Sequence, residues 1–394
     1  MRFLAFLLLL LLNVPLNAQL MDIGILRDMN VQQISVTCYG EGSILINDTL
    51  YERTLKHGEI IVLSRYGGKV SYKDSSGANI YVGSVTFLTA AKNTYWGIKV
   101  SGSARKERQY YGNIVADSQE DGLRVINKVR MRDYIAGVVQ AESGVNQNIE
   151  YYKVQAILAR TFALKNISKH ADEGFMLTDL VNCQAYHGRC TYPERIEIAV
   201  DETEGMVVTD QHHELITAVY HSNSGGQTAN PESVWNKPLP YLRSVIDTFS
   251  IGTRSYKWTK TLTETEWLGY LRDKHSYPVD DSLARLRALN YKQLFRDAFF
   301  VHSQYGIPLR DIRTDFKLNS TFFNVVPVSN GNIELRGRGF GHGVGLSQEG
   351  AMVMSRNGYD YRQIIDFYFH NVIVTDIKHV IFYRETVQQD IAGN

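Results

Sequence analysis

Between Val154 and Leu164 only Gln155, Arg160 and Thr161 are polar. A helix that is apolar on nearly every side cannot lie on a surface. The segment from Ile149 to about Lys169 therefore predicts a buried central helix around which the other elements must pack. Gln155 and Arg160 then need internal partners, because an unpaired buried donor costs about 1–3 kcal/mol. For Arg160 a structural salt bridge and a neighbouring functional carboxylate would serve equally.

The stretch before it, Tyr134-Ile-Ala-Gly-Val-Val-Gln-Ala-Glu142, reads as the end of a shorter helix beginning near Met131. Ile135, Val138 and Val139 share one face, and helical spacing puts Glu142 on the same face. A carboxylate at the end of an apolar stripe, just before Ser143-Gly144, is poorly placed as a charge. Desolvation and the negative end of the helix dipole both favour its protonated form, which is what a general acid requires. The position also suits an ordinary solvated carboxylate at a helix end.

At 394 residues the chain can hold two or three domains. Arg2, the apolar run Phe3–Leu12 and the approach to Ala18 read as a secretory signal over residues 1–18, with a retained membrane anchor as the lesser alternative. No later apolar run is long enough to span a bilayer. This predicts an exported protein with no transmembrane segment once the signal is removed. The formal net charge of +1 and the lack of a Lys/Arg cluster argue against nucleic acid as a partner.

The fold class expected is α+β. A β-rich N-terminal domain is placed at 19–108, from short alternating segments at Gln33–Cys38, Ser43–Ile46, Ile60–Leu63, Ile80–Val82 and Trp96–Val100 separated by turn residues. A mixed α/β domain follows at 109–394, with a helical insertion over about 262–312. Further strands are expected at Met206–Thr209 and Leu215–Tyr220.

Cys183, His187 and Cys190 could place three ligands on one cation, or the two cysteines could form a disulfide or remain free thiols. The loop His221-Ser-Asn-Ser-Gly-Gly226 suits a binding loop or a plain turn, and it lacks the glycine pattern of a nucleophilic serine. From Gly337 to Gly345 every second residue is glycine. As an extended strand this leaves one face bare and puts Arg338, Phe340, His342 and Val344 on the other, inviting close approach of a backbone or ligand. The run fits no nucleotide-binding pattern. Ser347 is placed to cap a helix from Gln348 to Arg356.

Three of these pieces, in order, resemble the SpoIID/LytB family of cell-wall proteins: Tyr134–Glu142 with Lys153–Ala163, His221–Gly226 with Trp235 and Pro240–Val245, and Gly337–Ala351. The resemblance spans roughly residues 110–375. It implies a peptidoglycan lytic transglycosylase that cuts MurNAc–GlcNAc bonds in glycan strands stripped of stem peptides, with Glu142 as the catalytic acid. A single carboxylate suffices where the substrate's own 6-hydroxyl closes onto C1; ordinary glycosidases need two. Candidate substrate contacts are Gln155, Arg160, Tyr186, His221, Ser222, Ser224, Arg338, His342, Ser347 and Gln348. Some similar proteins bind zinc, which would make Cys183, His187 and Cys190 its ligands. The sequence departs from the family in having Ser143-Gly144 after Glu142 and Glu349 after Gln348. Other relatives enhance a wall amidase without cutting glycan, so a non-enzymatic partner of such an amidase is the competing expectation.

Overall fold

The apolar segment forms helix α2, Ile149–Lys165, and twelve of its seventeen residues are buried, including Gln155, Arg160 and Thr161. Asn148 caps its first turn by accepting from the Glu150 amide at 2.9 Å. The helix stops four residues short of the expected Lys169. Asn166 turns its side-chain amide back onto the Phe162 carbonyl at 2.8 Å, competing with continued helix. Before α2 comes helix α1, Met131–Ser143, and after it helix α3, Pro193–Glu202; the three pack on one another.

The computed structural model describes residues 20–48, 50–73, 76–235 and 237–380; the expected signal at 1–18 lies outside them. The chain divides into two compact units, residues 1–206 and 207–394. The class is α+β, rich in strands before α1.

In the first unit the strands are β1 Leu20–Ile25, β2 Gln33–Tyr39, β3 Gly42–Ile46, β4 Leu50–Leu55, β5 Ile60–Tyr66, β6 Lys69–Lys73, β7 Asn79–Val82, β8 Ser84–Thr89, β9 Tyr95–Val100, β10 Arg108–Tyr111, β11 Asn113–Ser118, β12 Leu123–Arg130 and the short β13 Leu177–Thr178. They form two sheets, ordered β13-β1-β12-β11-β8-β3-β4 and β10-β9-β2-β5-β6-β7. Each expected segment falls inside one of these strands. Phe87 of the first sheet packs on Trp96 of the second, ring centroids 5.3 Å apart, among buried Ile44, Val36 and Leu63. Strands from both sides of residue 108 share the first sheet, where β8 pairs with β11.

The second unit is built on an antiparallel sheet ordered β16-β18-β17, with β16 at Lys257–Thr263, β17 at Phe323–Val328 and β18 at Asn332–Arg338. Between β16 and β17 lie α4 Glu264–His275, α5 Ser282–Leu289 and α6 Leu309–Asp315. Leu262, Ile333, Leu335, Phe323 and Val325 on one sheet face share a core with Trp267, Phe300 and Ile312. Shorter pairs complete the unit: β14 Met206–Thr209 with β20 Ile373–Asp376, and β15 Tyr220–His221 with β19 Leu346–Ser347. Of the strand expected over Leu215–Tyr220, only its last residue pairs in a strand. The chain bends where the Val219 amide bonds the Thr217 carbonyl at 3.0 Å, and Leu215 makes an isolated bridge to Thr209. Helices α7, Gln348–Arg356, and α8, Tyr361–Tyr368, follow, capped by Ser347 and Asp360.

Because Ile157 is fully buried in α2, Ile157→Ala should cost about 2–5 kcal/mol, read as a lower midpoint in chemical denaturation.

Candidate active site

Helix α1 carries its apolar stripe inward: Ile135, Val138 and Val139 are buried, and Glu142 in the last turn is half-buried. The helix ends at Gly144, whose φ of +68° suits glycine. Glu142 Oε1 accepts the Ala185 backbone N–H at 2.7 Å. Ala185 belongs to the segment 183–192, which lies along α1. At its centre the Gly188 carbonyl comes so close to Gly137 that a Cβ there would sit 2.2 Å from the oxygen. One turn on, Gln140 Oε1 accepts the amides of Thr191 at 2.7 Å and Tyr192 at 3.0 Å. Gln184 donates to the Tyr134 hydroxyl at 3.3 Å and to the Ala159 carbonyl of α2 at 3.2 Å.

The far side of this segment is held by the β-rich sheets. Arg189 donates its backbone N–H to the Gln109 carbonyl at 2.6 Å and its Nε to Gln109 Oε1 at 3.0 Å. Its guanidinium stacks 4.1 Å from the Tyr95 ring centre. Tyr186 donates to Asn127 Oδ1 of β12 at 2.8 Å. The backbone donor facing Glu142 is thus fixed from α1 on one side and from β10 and β12 on the other.

Several expected contacts prove to be scaffold. Arg160 is buried and points at carbonyls, Met206 at 2.9 Å and Val200 at 3.5 Å, so it neither pairs with a carboxylate nor faces solvent. Burial pushes its guanidinium down to about 10. Gln155 is fully buried, accepting from Tyr151 at 3.4 Å, and Tyr186 is fully buried on Asn127.

The proposed ligand trio also meets a different arrangement. Cys183 Sγ lies 3.5 Å from His170 Nε2, whose Nδ1 is 2.6 Å from Glu173. Cys190 Sγ donates to Gln140 at 3.3 Å, and burial pushes its thiol up to about 11. His187 is exposed. Both cysteines are free thiols, so the disulfide does not form. Among the described residues no three His, Cys, Asp or Glu side chains are gathered to hold a metal ion. Cys183, His187 and Cys190 do not fit a shared cation here, because the two thiols already face different partners.

In the second unit the glycine run leaves the extended strand expected for it. Strand β18 ends at Arg338, and Gly339, Gly341, Gly343 and Gly345 all take positive φ, from +72° to +108°. The run is therefore a coiled loop rather than a ribbon with two faces. Backbone approach, one of its two expected uses, is present: Asn223 and Phe340 exchange N–H···O bonds of 3.0 and 2.9 Å. A Cβ on Gly339 would lie 2.8 Å from the Asn223 carbonyl.

His221 is buried, its Nδ1–H donating to the Val344 carbonyl at 3.1 Å, and its Nε2 has no partner among the described residues. His342 donates from Nε2 to the Tyr220 carbonyl at 3.0 Å and accepts the Val344 amide at Nδ1, 3.1 Å. It packs against Trp235, centroids 5.5 Å apart. Ser222 is half-buried and Gln348 is buried in the first turn of α7. Ser224 and Ser347 are fully buried and serve the scaffold: Ser224 donates to Asp247 at 2.7 Å, and Ser347 accepts the Ser224 and Gly350 amides.

Two carboxylates organise these loops and were not singled out in the sequence as site residues. Burial raises the Asp247 carboxyl against the opposing bonds from Ser224, Tyr368 and Ser250. Burial works the same way on Glu349. There the bonds from Thr253 at 2.6 Å, Ser255 at 3.0 Å and Asn223 at 2.8 Å outweigh it and hold the carboxyl below its usual range.

With this geometry in view, the SpoIID family model, Stage II sporulation protein, matches residues 119–209, which include Glu142 and the segment bonded to it. Stage II sporulation protein D of Bacillus subtilis (strain 168) is 30% identical over 267 residues, covering 64% of this chain and 76% of that protein. An uncharacterized protein of Brachyspira hyodysenteriae is 28% identical over 346 residues, 85% of this chain and 86% of the relative. The amidase enhancer of Bacillus subtilis is 25% identical over 294 residues, 61% of this chain and 40% of its own length. The chain belongs to the SpoIID family. Among the described residues no helix is long and apolar enough to cross a membrane.

Burial lowers His342 to about 4 and His221 well below its ordinary value, so folding keeps both rings neutral. Their contribution is complete above the unfolded value near 6.5 and is lost as pH falls from there through the folded values. For His342 this loss is on the order of 3 kcal/mol between pH 6.5 and 4. Denaturation midpoints followed over that range should fall more steeply for the wild type than for His342→Gln.

Proposed function

We propose that the protein is an exported peptidoglycan lytic transglycosylase that cleaves the MurNAc–GlcNAc bond of glycan strands, with Glu142 as general acid and then base. The observation that carries this reading is the setting of Glu142. It ends an apolar helix stripe, stays partly open, and is held at Oε1 by the backbone amide of Ala185. From Tyr134 to Asn148 it is also the sole carboxylate in the sequence. One carboxylate is enough for this reaction. Glu142 gives its proton to the glycosidic oxygen as the bond to C1 breaks, and then takes the proton of the muramoyl 6-hydroxyl as that oxygen bonds to C1. The product is a 1,6-anhydro end, with no water consumed. A hydrolytic glycosidase would need a second carboxylate to act as nucleophile or to activate water.

Membership of the SpoIID family supports a role in wall processing. The likeness to an amidase enhancer supports work alongside an amidase, and no feature of the Glu142 setting favours that role without glycan cleavage. Incubation of the protein with peptide-free glycan strands, followed by mass spectrometry of the ends, should give 1,6-anhydro products. Glu142→Gln keeps an oxygen for the Ala185 amide and should lower the rate by about 10²–10⁴-fold with the melting temperature unchanged. Absence of anhydro ends, or full activity in Glu142→Gln, would refute the assignment.

A further inference from the structure

The face of the three-stranded sheet turned away from its core is cationic, in a protein whose formal net charge is only +1. Register sets Lys257 directly opposite Arg338, and Thr259 and Asn324 on either side of Arg336. These residues alternate with Leu262, Leu335 and Phe323 of the core, so they share the other face. Like charges placed opposite one another weaken a sheet. Arg338 stacks 3.8 Å from the centre of the Phe322 ring, and the buried guanidinium of Arg296 stacks 5.0 Å from it.

These cations are not neutralised internally. Arg338 donates to the Gln293 and Leu294 carbonyls at 3.2 and 3.3 Å, and Arg296 to the Ser224 and Gln227 carbonyls at 2.7 and 2.6 Å. Arg336 alone of the group is paired, with Glu334 at 2.7 Å. Among the described residues, Lys257, Arg296 and Arg338 have no carboxylate partner. Over this face lies a cavity of about 490 Å³ lined by Lys257, Arg336 and Arg338, by the polar Thr259 and Asn324, and by no Asp or Glu among the described residues. Its size falls in the ~300–1,000 Å³ range of ligand pockets.

We propose that this cavity binds a sugar ring carrying a carboxylate, with Lys257 and Arg338 on the carboxylate and Thr259 and Asn324 on the ring's polar groups. The choice of a sugar rests on the function proposed above; the charge preference rests on the cavity itself. Removing the stem peptide from a muramoyl residue turns its lactyl amide into a free carboxylate. That carboxylate sits directly on the sugar ring, within reach of Lys257 and Arg338, only where the peptide has been removed.

Binding is measured by calorimetry on the full chain carrying Glu142→Gln, so that no turnover intervenes. The ligands are a GlcNAc–MurNAc tetrasaccharide with free lactyl carboxylates and neutral N-acetylchitotetraose of equal length. The acidic ligand should bind about tenfold tighter, the scale of one charge-assisted contact. The advantage should shrink in Lys257→Gln, an exposed position where folding is not at stake, and vanish in Lys257→Gln/Arg338→Gln. Equal affinity for the two ligands, or an advantage that survives the double substitution in a folded protein, would overturn the proposal. So would inorganic phosphate displacing the acidic ligand at the ligand's own concentration, since that would mark a general anion site. The two readings fail separately. Charge-dependent binding with no anhydro ends from the wild type keeps the site and removes the reaction. Anhydro ends with no charge preference keep the reaction and remove the site.

Discussion

The contact on which the first unit depends is the seating of the Gly188 carbonyl against α1 at Gly137. A helix normally keeps a neighbouring backbone at side-chain distance; without a Cβ, the chain can lie directly on it. Once Gly188 is seated, both flanks of the segment bond to the C-terminal half of α1. Gln140 takes the amides of Thr191 and Tyr192, and Glu142 takes that of Ala185. Gly188 itself needs its freedom, with φ at +113° and the Gln109 carbonyl where a Cβ would be. The two glycines therefore join α1 to the β-rich sheets through one thin layer of backbone.

This arrangement gives the strands before α1 a physical part in the site. Gln109 and Tyr95 hold Arg189, and Asn127 holds Tyr186, so the sheets set the height of the segment that meets Glu142. In the second unit comparable work is done by two carboxylates, the buried Asp247 and the half-buried Glu349. Glu349 gathers Asn223, Thr253 and Ser255 and so ties the serine-glycine loop to the turn at 250–255. Burial disfavours the charge on such a carboxylate and its donors oppose that, so each donor removed shifts the balance toward the neutral form.

Much of this was legible in the sequence, and the limits have physical causes. The buried helix, its partner α1 and the cap at Ser347 follow from local patterns, and the structure has them. Strands β1, β4, β6, β8 and β10 are among those not anticipated. β6, Lys69–Lys73, does alternate, with Val70 and Tyr72 buried, but two apolar positions bounded by lysines are too short a pattern to stand out. The glycine run was read as a strand because a period of two is the strand signal, yet glycine obeys no period; its positive φ values make a coil instead. For the site, Glu142 stood out through its awkward position. Arg160, Ser224 and Ser347 looked equally eligible, because sequence gives residue type and not the direction a side chain faces. Asp247 was legible at most as a local cap, accepting the Ser250 amide three residues on; its tie to the serine-glycine loop comes from Ser224, which lies elsewhere in the chain.

The partner that Glu142 receives is a peptide N–H, and this bears on how the position would behave under variation. Nineteen residue types supply that donor equally, so the side chain at 185 can drift without altering the contact. A substitution scan would report the position as indifferent, with one exception: proline, which has no N–H to give. The contact is written in the path of the chain, and the glycines at 137 and 188 are where that path leaves its trace in the residue types.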